Sequence, residues 1–278
     1  MEKDILRVSL VQFDPRWEDV GFNLSRLGSM MQALVGKTDL IVLPEMFPTG
    51  FSMNTDLICS TELFDETKQW MKQQALSTDA MLVGGMAVKE SEKSSERQIN
   101  NQLNITDYNC QLKCYNRLHW ISPDGDGGHY DKHHLFSMST EPHYYSPGTE
   151  KKQFEWNEWQ IKPIICYELR FPEWSRNNRI NPYDILICIA SWPSVRYDVW
   201  LTLLKARALE NQCYVVGVNR VGTDGYGLHH KGDSIVYSPK GKTIIQLPEN
   251  EEIIVTVELP LSKMNDFREK FPVLEDIE

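Results

Sequence analysis

The chain has 278 residues, 39 acidic and 29 basic, for a net charge of −10 at pH 7. That acid excess argues against a nucleic-acid backbone or an anionic membrane as the main partner. With 41% apolar and 24% charged residues, and no apolar run near the ~18 residues of a membrane span, the composition excludes a disordered chain and a helical membrane protein.

Residues 5–11 are apolar and β-rich and are expected as a buried strand. Val20, Leu24, Leu27, Met31, Leu34 and Val35 recur at helical spacing, which predicts an amphipathic helix over 19–36. A second strand is expected at 39–43, ended by Pro44. Leu63, Thr67, Trp70, Met71 and Ala75 mark another helix, and 81–88 a third strand. Beyond the polar loop 89–97, residues 99–106 and 111–115 read as a hairpin pair. The stretch 117–150 is irregular and rich in Gly, Pro, His and Asp, a length that in compact domains goes with function or disorder. Its aromatics, Trp120, Tyr130, Phe136, Tyr144 and Tyr145, argue for packing. The second half repeats the alternation: strands at 160–165 and 184–190, a helix over 195–212, and a strand at 214–219. Val199, Leu203, Ala206 and Leu209 are expected on that helix's core-facing side, leaving Tyr197, Trp200 and Leu204 in excess. A meander at 235–237, 243–247 and 253–259 precedes a short helix at 261–270. Strand–helix alternation implies parallel pairs with covered faces. Two mixed sheets packed together with outer helices would bury every apolar strand.

Six cysteines are too few for a disulfide scaffold. Cys188 and Cys213 lie in apolar runs, and Cys110 and Cys114 in strand-like ones, so free thiols in a reducing, cytoplasmic compartment are expected. No basic segment followed by an apolar stretch marks residues 1–5 as the start of a leader.

No G-x-S-x-G, G-x-G-x-x-G or H-E-x-x-H occurs, and Gly241-Lys242-Thr243 lacks the upstream glycine of a P-loop. Five of the seven histidines fall in 117–150, where bracing or solvated roles outweigh metal ligation. Glu45 and Cys166 follow predicted strands directly or nearly so, at the carboxyl ends where α/β sheets open their crevices. Lys132 sits among aromatic and apolar residues in Tyr130-Asp131-Lys132-His133-His134-Leu135-Phe136. Taken singly, Glu45 also fits a helix-start carboxylate, Cys166 a small buried hydrophobe, and Lys132 a surface charge. Taken together they supply acyl transfer without histidine: a carboxylate to accept the thiol proton, a thiol nucleophile, and an ammonium to hold an oxyanion.

The chain resembles the nitrilase, or carbon–nitrogen hydrolase, superfamily over nearly its whole length, in three motifs that occur in order. Leu43-Pro44-Glu45-Met46-Phe47 is similar to the family's glutamate motif, and Tyr130-Asp131-Lys132 with His134-Leu135-Phe136 to its lysine motif. Cys166-Tyr167-Glu168-Leu169-Arg170-Phe171-Pro172-Glu173 is similar to the cysteine motif of its amidase branch. The resemblance implies a single domain over 1–278, a four-layer α-β-β-α sandwich, at least a homodimer, and no metal or cofactor. It implies Glu45, Lys132 and Cys166 as the catalytic set, Glu141 as a second glutamate beside the lysine, and the Tyr167 backbone N–H as oxyanion donor. His133 departs from the arginine common in close relatives. The cysteine motif, with Ser191-Trp192-Pro193, is most similar to omega-amidases, which hydrolyse the terminal amide of 2-oxo-dicarboxylate monoamides to acid and ammonia. On that reading the partners are a small anionic amide and water. Arg170 suits a remote substrate carboxylate, or else an ion pair with Glu168 or Glu173, and Trp192 and Arg196 belong to a substrate-facing or packing segment. The alternatives are another superfamily reaction on nitriles, N-carbamoyl amines or other amides, and a non-catalytic dimeric binding protein on this fold.

Overall fold

The structure is a computed structural model that describes residues 4–91 and 112–277. The first half runs β1 (Ile5–Gln12), α1 (Val20–Met31), β2 (Leu40–Val42), α2 (Thr55–Ile58), α3 (Thr61–Thr78), β3 (Met81–Ser91), β4 (Leu112–Ile121), β5 (Gly127–Asp131) and α4 (Glu141–Tyr144). The second runs β6 (Phe154–Trp156), β7 (Trp159–Ile165), α5 (Pro172–Ser175), β8 (Ile185–Ala190), α6 (Tyr197–Asn211), β9 (Tyr214–Asn219), β10 (Val221–Thr223), β11 (His229–Lys231), β12 (Ile235–Tyr237), β13 (Thr243–Gln246), β14 (Ile253–Pro260) and α7 (Leu261–Lys270). One six-stranded sheet has the order β14-β1-β2-β3-β4-β5, the other β13-β12-β9-β8-β7-β6, and β10–β11 form a separate ribbon. β1, β2 and β3 are parallel, as are β7, β8 and β9, and the flanking pairs are antiparallel.

Strand alternation builds the layers. Ile185, Ile187 and Ile189 of β8 point between the sheets, with Leu6, Val8 and Leu10 of β1 in the same inner core. Leu186, Cys188 and Ala190 point the other way, against Trp200, Leu204 and Ala208 of α6. On the first sheet, Val11, Ile41 and Leu82 meet Leu24, Leu27 and Met31 of α1 and Met71 and Ala75 of α3. The result is the expected α-β-β-α sandwich of two mixed sheets.

Four expectations need correction. The buried row of α6 is Trp200, Leu204 and Ala208, while Leu209 is exposed and Val199 and Leu203 only partly covered. Apolar residues encircle this helix, so periodicity alone does not select its inner side. Residues 117–150 are not wholly irregular: β4 extends to Ile121 and turns back into β5. The partner of residues 112–115 is β3, with Cys114 opposite Lys89, whereas the expected strand at 99–106 lies outside the described residues. Finally, Cys59 and Cys114 form a disulfide, because the end of α2 lands on β4 in a cluster with Met53, Ile58 and Tyr145. The expectation of free thiols holds for Cys166, Cys188 and Cys213 only, Cys110 lying outside the described residues, and the thiol argument for a reducing compartment falls with it.

Candidate active site

Four strand ends converge at one edge of the sandwich. β2 leads through Leu43 and Pro44 to Glu45, β5 leads to Lys132, β7 to Cys166, and β8 to Ser191 and Trp192. Two of these turns are tight enough to place side-chain-bearing residues in the left-handed region, with φ of +50° at Met46 and +49° at Cys166. Non-glycine residues pay for that conformation in strain, which is met at functional turns when the surroundings enforce it. Gly85 of β3 lets the first turn pack close: a Cβ there would stand 3.2 Å from Glu45 Cα and 2.8 Å from Ile189 Cδ1.

Glu45, Lys132 and Glu141 are buried and joined. Lys132 Nζ donates to Glu45 Oε1 at 3.0 Å and to Glu141 Oε1 and Oε2 at 3.0 and 3.1 Å. Glu45 Oε2 accepts from Ser191 N at 2.8 Å, and Glu141 Oε2 from Phe136 N at 2.5 Å. Burial pulls the Lys132 pKa down, but the charges of Glu141 and Glu45 outweigh it, so the ammonium is held more firmly than in free lysine. Lys132 is therefore a fixed cation. Burial and the Glu45 charge push the Cys166 thiol well above its ordinary range, against the pull of Lys132. Cys166 therefore rests as a thiol, and a nucleophilic role would need a base to take its proton.

Cys166 and Lys132 face a cavity of about 300 Å³ whose wall includes Tyr167, Arg170, Ser191, Trp192 and Arg196, while Glu45 and Glu141 stand behind that wall. Arg170 is exposed at the mouth with its guanidinium 5.3 Å above the Trp192 ring, and Arg196 lies 5.3 Å from the Phe136 ring. Among the described residues neither guanidinium has a carboxylate partner, so the ion pair of Arg170 with Glu168 or Glu173 does not form. Trp192 is both packed and cavity-facing. Its backbone is pinned by Asn219, which accepts from Trp192 N and donates to Trp192 O, at 2.8 and 2.9 Å.

Sequence reasoning missed two residues. Asn116 of β4 donates through one nitrogen to Glu45 Oε1 and Glu141 Oε1, at 2.8 and 3.0 Å. Glu168, fully buried, accepts from Tyr130 Oη at 2.5 Å, His133 N and Ile165 N at 2.7 Å, and His134 N at 3.3 Å. One carboxylate thus ties the lysine loop to the cysteine turn. Burial raises its pKa against those donors. His133 braces the same loop, stacked on Trp174 at 3.8 Å with Nδ1 2.6 Å from Gly148 O. No signal in the sequence marked Asn116, because the β4–β5 hairpin that brings Lys132 N to Asn116 O at 2.9 Å runs into a stretch read as irregular.

The carbon-nitrogen hydrolase family model matches residues 7–269. The Omega-amidase YafV of Escherichia coli K12 is 36% identical over 271 residues, covering 98% of this chain and 96% of that protein. The 2-oxoglutaramate amidase of Bacillus subtilis is 31% identical over 275 residues, covering 97% and 96%. Among solved structures, the CN-hydrolase superfamily protein XC1258 of Xanthomonas campestris superimposes with a TM-score of 0.83 at 35% identity, covering 99% of this chain and 98% of that one. The turn geometry, the Glu-Lys-Glu cluster beside a cysteine and these likenesses converge, and the chain belongs to the carbon–nitrogen hydrolase family.

Proposed function

We propose that the protein is an omega-amidase, hydrolysing the terminal amide of small dicarboxylate monoamides such as 2-oxoglutaramate. The observation that carries this reading is one cavity wall holding Cys166 and Lys132, backed by Glu45 and Glu141, with the guanidiniums of Arg170 and Arg196 nearby and free of carboxylate partners among the described residues. The cluster supplies the chemistry, and the guanidiniums suit an anionic tail.

Glu45 accepts the Cys166 proton as sulfur attacks the amide carbon. Lys132 and the Tyr167 backbone N–H hold the tetrahedral oxyanion. The C–N bond then breaks, nitrogen takes the proton from Glu45, and ammonia leaves a thioester on Cys166. Glu45, with Glu141 beside it, next takes a proton from water. The resulting hydroxide equivalent attacks the thioester, and the proton returns to sulfur as the acid departs. Every step is met by groups of this chain, so the reading calls for no metal.

Substrate choice is tested with Arg170→Ala. Arg170 sits at an exposed mouth, where water screens its charge, so the loss in kcat/KM for 2-oxoglutaramate should be about tenfold rather than the hundredfold or more of a buried pair. Neutral short amides should be unaffected. Equal losses on both classes, or faster wild-type turnover of nitriles or neutral amides, would overturn the substrate assignment. Cys166→Ala should abolish both turnover and the thioester mass adduct, and retained activity would overturn the mechanism itself.

A further inference from the structure

The turn end of the β4–β5 hairpin borders a second hollow, of about 280 Å³, which shares no lining residue with the cavity at Cys166. Lys68 and Lys72 of α3 line it together with His119 of β4 and His129 of β5. The two lysines are one helical turn apart, and neither is ion-paired to a described residue. His119 and His129 are register partners across the hairpin, with ring centroids 5.8 Å apart. His119 is only 4% exposed, lies against the Phe64 ring at 5.5 Å, and its Nε2 has no hydrogen-bond partner among the described residues. The sole carboxylate in the lining belongs to the exposed Asp126.

In a chain of net charge −10, four nitrogen-bearing side chains thus converge on one concavity with little compensation. An unpartnered buried imidazole nitrogen is destabilising, and a small rotation of the ring toward an acceptor in the hollow would relieve it. Two ammonium groups make the hollow hostile to a metal ion and favourable to an anion. We propose that this hollow binds a tetrahedral dianion, sulfate or the phosphate group of a small metabolite, on Lys68, Lys72, His119 and His129. Without an anion, burial holds His119 well below its ordinary pKa, helped by the charges of Arg117 on its own strand, His129 on β5 and Lys68 on α3. Burial, with the charges of Arg117 and of Lys152 in the segment before β6, lowers His129 likewise, against Asp131 and Glu90. A bound dianion favours the protonated rings, so binding takes up protons and tightens as pH falls.

Sulfate is the probe of choice because its charge is constant over this range. The full chain is titrated with sulfate at constant ionic strength near pH 8 and near pH 6, following the ring nitrogen resonances of His119 and His129. The expected result is saturable binding, roughly tenfold tighter at the lower pH, with both rings shifting toward the imidazolium position. Lys68→Gln/Lys72→Gln should weaken it at least about tenfold while leaving amide turnover without sulfate unchanged. Arg170→Gln should leave sulfate binding intact, and inorganic phosphate and glycerol phosphate should both displace sulfate. Absence of saturation, equal affinity in the double lysine variant, or loss of binding in Arg170→Gln would overturn the proposal. Competition by inorganic phosphate but not by glycerol phosphate would overturn its metabolite arm.

Discussion

Asn116 holds two carboxylates with one neutral amide, and its Oδ1 has no partner among the described residues. It keeps Glu45 and Glu141 on the same ammonium without adding a charge. Asn116→Leu removes both hydrogen bonds and should lower kcat by about two to four decades, matching two lost hydrogen bonds to charged groups, with a smaller change in KM. Asn116→Asp adds a third carboxylate and should displace the pH–rate profile toward higher pH, a shift that a purely structural role would not produce. His230, on the ribbon that walls the cavity, is a residue whose protonation matters. Burial, with the charge of Arg220, lowers its pKa from 6.5 to about 4. The unfolded chain therefore binds the proton first, and this histidine's stability contribution is complete above pH 6.5 and is lost as pH falls toward 4. The loss is about 3 kcal/mol, so His230→Gln should show a smaller drop in Tm between those pH values than the unchanged chain.

At the scale of elements, the site depends on turns that follow strands, and the close pass of β3 beneath Glu45 is the tightest of them. Gly85→Ala forces a methyl group against Ile189 and the Glu45 backbone. It should destabilise the fold by about 1–3 kcal/mol and depress kcat more than KM, checked by denaturant melts and steady-state kinetics on the same sample. Glu45 and Cys166 were legible because each follows a strand whose apolar run marks its own end, whereas β5, with the sequence GGHYD, has no such run and Lys132 was legible only through its aromatic neighbours and the family motif. The buried β8 and the layered order were legible for the same reason, since fully apolar strands need covering on both faces. The face of α6 was not, because residues apolar all round leave the choice to the sheet beneath. Asn116 and Glu168 were hidden for a different reason. Their partners are fixed by strand register and turn shape, 71 residues away for Asn116 with Glu45 and 38 for Glu168 with Tyr130, and no local pattern records a pairing at such separation. The Cys59–Cys114 bond, 55 residues apart, was illegible on the same ground.

At the scale of the molecule, the outward side of α6 bears on assembly. Trp200 and Leu204 belong to the core, which leaves Val195, Tyr197 and Leu209 as the exposed apolar residues of this region. The proposed homodimer should use that side. Light scattering at micromolar concentration should give twice the 32.3 kDa chain mass, and Leu209→Glu should lower it toward one chain. A single-chain mass for the unaltered protein would contradict the proposal. One pairing also governs how the molecule comes into being. β1 and β14 are register partners along all eight residues of β1, from Ile5 opposite Pro260 to Gln12 opposite Ile253. A ribosome adding about 5–20 residues per second makes β1 roughly 240 residues, and so about ten to fifty seconds, before the strand that covers its edge. During that interval an apolar strand lies in the nascent chain with one side unclaimed, the condition under which chains pair with one another. The earliest of the described strands is among the last to be sheltered, and chains cut short before residue 253 should be recovered as aggregates rather than as a smaller enzyme.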